Sequence, residues 1–526
     1  MGLHGQSPWY LSQRPRGATF RPHDGAFLHG QRPWSPAAGM RNFHEGISVL
    51  VQINLLSNDE IGLVLDKVLT FLSERGVKIQ HKGLLKTLGQ AGAWVDSKKE
   101  TVRFPRNLVE DSLKKVPHRF TLAGVDPRLD MPLPSPDGNF YMCTNTGARG
   151  MIDPETGVYR EVAISDVEKW ARLVDLLDHI DMCAFPTPTD APPQTADLHS
   201  LKALLENTSK HIWIQPHGEA SLGFLIDLVI AKAGGEENLK KRPIASIISD
   251  AMTPFGLKSL DGEIILQSCR YGIPIHASTL PVAGATSPIT LMGSVIVAGI
   301  EVLMHLVIAQ IVKPGIPVIG LSGLLNMDML TGRTLKTSVQ AIQGNAAFVQ
   351  FMREAYHIPT HCAGFTTDSP IPDGQSMIER NLRALMISAA GSDIMGRAGE
   401  LAAAKTISPI QLIIDNEVTG MLRHLKSGVE FSEETMAWDV ILAVPPGGHF
   451  LDQKHTLDHC REGFRPQLFV RNPAELSEMQ GGKDLLLTAQ EKYKEFAGKE
   501  RTLTISDQTL SEMNRIVQEA DRALVR

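Results

Sequence analysis

Apolar residues recur at helical spacing from Ile61 onward, and Ser57-Asn58-Asp59-Glu60 just before them has the S-x-x-E pattern of a capping box. A helix is therefore predicted over 61–75. A second is predicted over 82–91, short strands over 93–95 and 101–104, and another helix over 107–115. A regular rhythm then begins. Short β-rich segments occur at 139–144, 181–187, 211–216, 244–249, 273–279, 317–322, 360–366 and 393–397. Helical patterns separate and follow them at 167–177 (capped by Ser165 and Glu168), 196–205, 222–232, 260–271, 289–312, 335–356, 376–390 and 409–425. Strands that are apolar on both faces and alternate with helices imply a parallel sheet. Eight such units over roughly 280 residues match a (β/α)8 TIM barrel, an α/β fold. An open doubly wound sheet is the competing architecture. No G-x-G-x-x-G follows the first strand, which disfavours its dinucleotide-binding form.

The rhythm stops near residue 426. Helices are predicted over 431–444, 485–496 and 511–524, the last with Met513, Ile516, Val517 and Ala520 on one face. The expected organisation is a flexible tail (1–45), a small α+β region (46–135), the barrel (136–425) and a helical C-terminal extension (426–526). The apolar C-terminal helices favour a homo-oligomer. The run 289–312 is long enough to cross a bilayer. Glu301 sits in its middle with His305 on the same helical face, so the reading is a buried helix with no membrane partner.

Lys and Arg total 52 against 58 Asp and Glu, a net charge of −6, without the concentrated basic surface of a nucleic-acid binder. The five cysteines (Cys143, Cys183, Cys269, Cys362 and Cys460) are far apart with no CxxC, which points to free thiols in a reducing cytoplasm. The first 45 residues lack the continuous apolar core of a secretory signal.

Barrel enzymes place their chemistry where the βα loops converge, at the C-terminal ends of the strands. Polar residues at the predicted strand ends are Asn145, Gln215, His217, Asp250, His276, Ser278, His361, Asp368, Arg397 and Glu400. Each has a plainer reading. His217 and His276 are equally read as hydrogen-bonded rim residues, Asp250 and Asp368 as helix or loop caps, and Arg397 with Glu400 as an internal ion pair. His455 and His459 have i, i+4 spacing but no third ligand is signposted, so no metal site is expected. Neither a phosphate-binding G-x-x-x-x-G-K-[ST] loop nor a G-x-S-x-G elbow occurs.

Several runs form an ordered set: Glu74-Arg75-Gly76-Val77, Ile152-Asp153-Pro154-Glu155-Thr156-Gly157, Pro281-Val282-Ala283-Gly284-Ala285-Thr286-Ser287-Pro288-Ile289-Thr290, Met327-Asp328-Met329-Leu330-Thr331-Gly332, Thr367-Asp368-Ser369 with Pro372-Asp373-Gly374-Gln375, and His455-Thr456-Leu457 with His459 and Arg461. Their order and spacing over about 55–475 resemble the trimethylamine methyltransferase superfamily. The resemblance implies a barrel methyltransferase that moves a methyl group from a methylated amine to the cobalt of a corrinoid (cobalamin) carried by a separate protein and not tightly bound. Every residue is a standard one, so the resemblance points to the branch without pyrrolysine, whose members use quaternary amines such as glycine betaine. For such chemistry the strand-end residues Asp368, Glu400 and His361 are the catalytic candidates. The candidates for substrate binding, likewise at or near strand ends, are Tyr141, Gln215, His217, Asp250, His276, Phe365 and Arg397. Tyr141 and Phe365, with Phe185 and Phe255, are expected to hold the cationic head. Arg397 and the histidines are donors for a carboxylate, and Asp368 or Glu400 a counter-charge. Three rivals stay open: a barrel lyase or hydrolase using Asp and His for proton transfer, a non-catalytic binder of quaternary amines, and a folate-dependent methyltransferase.

Overall fold

The segments that are apolar on both faces pair side by side as β1 (Tyr141–Thr144), β2 (Met182–Ala184), β3 (His211–Ile214), β4 (Ala245–Met252), β5 (Ile275–Thr279), β6 (Val318–Ser322), β7 (Thr360–Ala363) and β8 (Ile394–Ala398). Each bonds in parallel to the next, and β8 pairs back onto β1, so the ring of eight closes. That closure excludes the open sheet. The computed structural model describes residues 47–48, 51–471, 473, 484–499 and 503–525. The expected tail over 1–45 lies outside the described residues.

The helices that follow the strands are α1 (Ile164–Asp175), α2 (Ala196–Asn207), α3 (Glu219–Ala233), α4 (Ser259–Tyr271), α5 (Leu291–Val312), α6 (Val339–Phe351), α7 (Gly374–Ala389) and α8 (Pro409–Lys426). Three local readings are corrected. α1 begins at Ile164, where Asp166 rather than Glu168 accepts the Ala163 amide, because the chain enters from the preceding hairpin already extended at Ala163. α6 starts four residues later than expected, and its end widens into a π turn over Met352–Tyr356. The expected helix at 431–444 is a strand at Glu430–Phe431 and two short helices, split where Ala437 turns left-handed at φ 48°.

α5 is the bilayer-length run, and its buried residues extend from Ser294 to Gln310, so other protein elements rather than lipid surround it. Glu301 is tolerated there because its carboxylate accepts from the Phe255 amide (2.9 Å), Thr253 Oγ1 (2.9 Å) and Thr279 Oγ1 (2.5 Å). The Ser57–Glu60 capping box forms at the head of the helix Asn58–Glu74, which packs on α5. A hairpin of Phe120–Leu122 and Met131–Leu133 fills the N-terminal end of the barrel: Leu122, Met131 and Leu133 join Cys143, Met182, Trp213, Ile248, Ile319, Leu321 and Ile394 in one interior cluster. At the other end of the chain, the helix Asp507–Leu524 buries Met513, Ile516, Val517 and Ala520 against α2 and α3.

Candidate active site

The alternation of β3, β4, β5 and β7 turns four polar residues into the barrel, where they join end to end. The Ala123 carbonyl can only accept, so His211 donates from Nδ1 (2.8 Å). Burial pushes His211 down to about 4, which makes the ring neutral and leaves its Nε2 to accept from the Ser246 hydroxyl (2.9 Å). The Ser246 oxygen then accepts from His276 Nε2 (2.8 Å), and His276 Nδ1 accepts from His361 Nδ1 (3.1 Å). Burial also holds His276 well below the ordinary imidazole range and takes His361 to about 3. The proton order thus leaves Nε2 of His361 as a lone pair. It lies against Gly396, where an added Cβ would come within 2.6 Å of it. Trp213 stands beside this ladder, 4.9 Å from the His361 ring and 5.5 Å from that of His276, centroid to centroid.

Above the ladder, at the C-terminal ends of the strands, lie polar atoms that find no partner in the protein. Arg397 donates to Asn145 Oδ1 (2.8 Å), and its Nε is 3.6 Å from Glu400 Oε2. Glu400 is fully buried; its Oε1 takes the Thr366 hydroxyl proton, while Oε2 accepts no hydrogen bond. Asp250 lies opposite Ser278 in the β4–β5 register, and the buried Asp250 Oδ1 and Ser278 Oγ have no partner at full hydrogen-bond distance beyond their loose approach to one another. Burial raises the Asp250 carboxyl, opposed by Ser278, Lys258 and Arg397. Gln215 accepts from Thr146 Oγ1 (3.2 Å). Buried polar atoms are nearly always paired, so several orphans at one barrel end mark a place built for a polar ligand.

Backbone strain supports the same location. Arg397 holds φ 79° at a register break in β8, and Gly399, Ala402, Ala403 and Ala404 follow with φ of 77°, 50°, 55° and 75°. Non-glycine residues rarely adopt this region, and they cluster at functional sites. The loop is held from behind: Arg380 and Asp415 form a fully buried ion pair (2.8 Å), Arg380 donates to the Glu400 carbonyl (2.6 Å), and Asp415 accepts the Gly399 amide (2.7 Å).

The structure brings together Gln215, Asp250, Arg397 and Glu400 at the mouth, with His276 and His361 directly beneath. His217 lies exposed on the rim, its Nε2 3.4 Å from Thr187 Oγ1. Asp368 is also at this end, but its carboxylate is taken by the Lys336 amide (3.1 Å), the Thr337 amide (3.0 Å) and the Thr337 hydroxyl (2.5 Å). Tyr141 opens β1 rather than ending it, so it sits at the opposite, N-terminal end of the barrel. Phe365 and Phe185 are buried in the shell between strands and helices, and Phe255 packs on Phe71 at 4.3 Å, so none of them joins the mouth. The aromatic beneath the mouth is Trp213, which period-2 alternation with His211 and Gln215 would have turned inward. Lys336, Arg380 and Asp415 carried no sequence signal. Among the described residues no group of three or more His, Cys, Asp or Glu converges on one point.

Polar atoms without hydrogen-bond partners thus gather at the strand C-termini, the end at which (β/α)8 barrel enzymes carry their active sites. The profile of the trimethylamine methyltransferase family matches residues 32–523, and the chain belongs to that family. It is 32% identical to the trimethylamine methyltransferase MttB of Desulfitobacterium hafniense (strain DSM 10664 / DCB-2), over 83% of this chain and 87% of that one. It is 27% identical to the glycine betaine methyltransferase of D. hafniense (strain Y51), over 81% and 88%. The crystal structure of the Methanosarcina barkeri monomethylamine methyltransferase MtmB shares the fold at a TM-score of 0.51 and 11% identity, covering 90% of each chain. The protein is a methyltransferase.

Proposed function

We propose that this protein takes a methyl group from a quaternary methylated amine of the glycine betaine kind and delivers it to the cobalt of a corrinoid held by a separate carrier protein, in the reducing cytoplasm. The observation that carries the reading is the pairing of opposite charges at the barrel mouth. Glu400 Oε2 and Asp250 Oδ1 accept no hydrogen bond, Arg397 Nε lies 3.6 Å from the first of them, and Lys336 is within electrostatic reach of Glu400. A zwitterion with a cationic head and a carboxylate tail matches that pattern, and the negative group attracts the N-methyl cation.

The chemistry asks little of acid–base groups. A reduced cobalt attacks the methyl carbon in line, and a quaternary nitrogen leaves as a neutral tertiary amine without needing a proton. The protein's residues then work by position and charge. Glu400 and Asp250 draw the cationic head to the mouth, Trp213 and the neutral imidazoles of His276 and His361 floor it, and Arg397 orients the tail. An apolar rim supports docking of a bulky carrier. Leu280, Ile289 and Met292 after β5 and Met329, Leu330 and Val339 after β6 are exposed on the mouth side, Leu330 to 92%. The exposed Val429, Leu451 and Leu457 of the C-terminal extension support a homo-oligomer. The test is to incubate the protein with cob(I)alamin and, in turn, glycine betaine, carnitine, proline betaine and trimethylamine, following the cobalamin spectrum. Methylation with a betaine is expected. A folded protein that methylates cobalamin with none of them contradicts the proposal.

A further inference from the structure

Lys336 lies in the loop between β6 and α6, and that loop is fixed by its backbone. Both oxygens of Asp368 take the Lys336 amide (3.2 and 3.1 Å), and Arg383 donates to the Lys336 carbonyl (3.0 Å). Arg383 is itself buried and bonded to the Ala363 carbonyl (2.5 Å), so the clamp reaches back to the end of β7. The side chain, by contrast, is free. Its ammonium makes no hydrogen bond or ion pair with any described residue, although Glu400, Arg397, Arg383 and Asp368 all lie within electrostatic reach. A lysine whose main chain is held at both ends, and whose charged tip has no partner among the described residues yet lies within electrostatic reach of a second cation, is arranged to receive an anion.

We infer that Lys336 and Arg397 form a two-cation receptor for the carboxylate of the substrate, so that Lys336 selects methylated amines bearing an anionic tail over those without one. This rests on the proposed function above. The pairing is economical in charge. Glu400 already neutralises Arg397 in part at 3.6 Å, and the carboxylate would complete the balance for Lys336. Burial moves the Lys336 amine down to about 8, opposed chiefly by Glu400 and Asp368 and reinforced by Arg397 and Arg383. Glu379, which accepts the Asp368 amide and the Thr367 hydroxyl, is the remaining charge on this side. The receptor therefore weakens as pH rises past about 8, where Lys336 loses its proton.

The test compares glycine betaine with tetramethylammonium, which has the same head and no tail. Binding of each to the full-length protein is measured by calorimetry with no methyl acceptor present, and turnover is measured with cob(I)alamin. In Lys336→Met the affinity and kcat/KM for glycine betaine are expected to fall by about tenfold or more relative to those for tetramethylammonium. Lys336→Arg is expected to recover most of the preference and to remove its decline above pH 8. The inference is overturned if both ligands lose equally in Lys336→Met, or if the wild type binds them with equal affinity. Wild-type protein that prefers betaine through Lys336 yet methylates cobalamin with neither leaves this inference standing and removes the proposed function instead.

Discussion

His361 Nδ1 stands 3.1 Å from His276 Nδ1, at the upper end of a hydrogen-bonded chain that terminates on the Ala123 carbonyl. Because the terminus cannot donate, every proton in the chain points one way. Ser246 is the link that depends on both sides, since it donates to His211 and accepts from His276. Ser246→Ala leaves two buried ring nitrogens unpaired, at about 1–3 kcal/mol each. A loss of about 2–6 kcal/mol in urea unfolding is expected. A loss under about 1 kcal/mol would show that the chain does not hold the barrel interior.

Gly396 makes room for the upper imidazole. An alanine Cβ there would lie 2.6 Å from His361 Nε2, closer than real contacts allow. Gly396→Ala is expected to displace the ring and reduce kcat/KM by about tenfold or more, while far-UV circular dichroism stays that of the wild type. Unchanged kinetics would show that His361 plays no part in the site.

Much of this fold was legible because its signals are local and repeated. All eight strands overlap the predicted segments in order, β4 running on to Met252 and β8 to Ala398, and the Ser57 capping box forms as read, since apolar period and cap chemistry act over a few residues. The mouth was legible only in part. Asp250, Gln215, Arg397 and Glu400 follow from the rule that strands end at the site. Tyr141 failed the same rule because the first strand begins, rather than ends, at its aromatic residue. Phe365 is two residues past the end of β7, where the chain has already turned outward. Lys336 reaches the site through a loop whose path is set by Asp368, some thirty residues later in sequence, and no local pattern encodes that.

His305 supplies the pH dependence with the clearest sign. It is buried in α5, its Nδ1 donates to the Glu301 carbonyl (2.8 Å), and its Nε2 has no partner. Burial lowers it to about 4 from an ordinary 6.5. Its contribution to stability is therefore complete above about pH 6.5 and is lost as pH falls, because the unfolded state takes up the proton first. His305→Leu removes that loss. The variant is expected to gain about 2 kcal/mol on the wild type between pH 7.5 and pH 5, at 1.36 kcal/mol per unit. Parallel stability curves for the two proteins would contradict a buried neutral imidazole.

Arg380 and Asp415 form a pair with no exposed surface, and together they hold the Gly399–Glu400 turn. Removing one partner strands the other charge. Arg380→Met is expected to cost about 3–5 kcal/mol, and Arg380→Met with Asp415→Leu to recover part of it. A double variant as stable as the wild type but without activity would locate the pair's role in shaping the Glu400 loop. A single variant of wild-type stability would refute the buried pair.

Glu400 offers the cationic head a carboxylate oxygen that accepts no hydrogen bond and has only the Arg397 guanidinium, at 3.6 Å, beside it. Glu400→Gln keeps the shape and removes the charge. KM for a quaternary amine is expected to rise by about ten- to a hundredfold, with a smaller change in kcat. A fall in kcat at constant KM would instead give Glu400 a part in the chemical step.

The proposed function stands on methyl transfer from a quaternary nitrogen to reduced cobalt. Glycine betaine carrying 13C in its three N-methyl groups, incubated with the protein and cob(I)alamin and followed by carbon NMR, tests it most directly. Labelled methylcobalamin and dimethylglycine appearing in equal amounts is the expected result. Labelled betaine left intact beside folded protein and active cob(I)alamin, or label released as methanol instead of bound to cobalt, would contradict it.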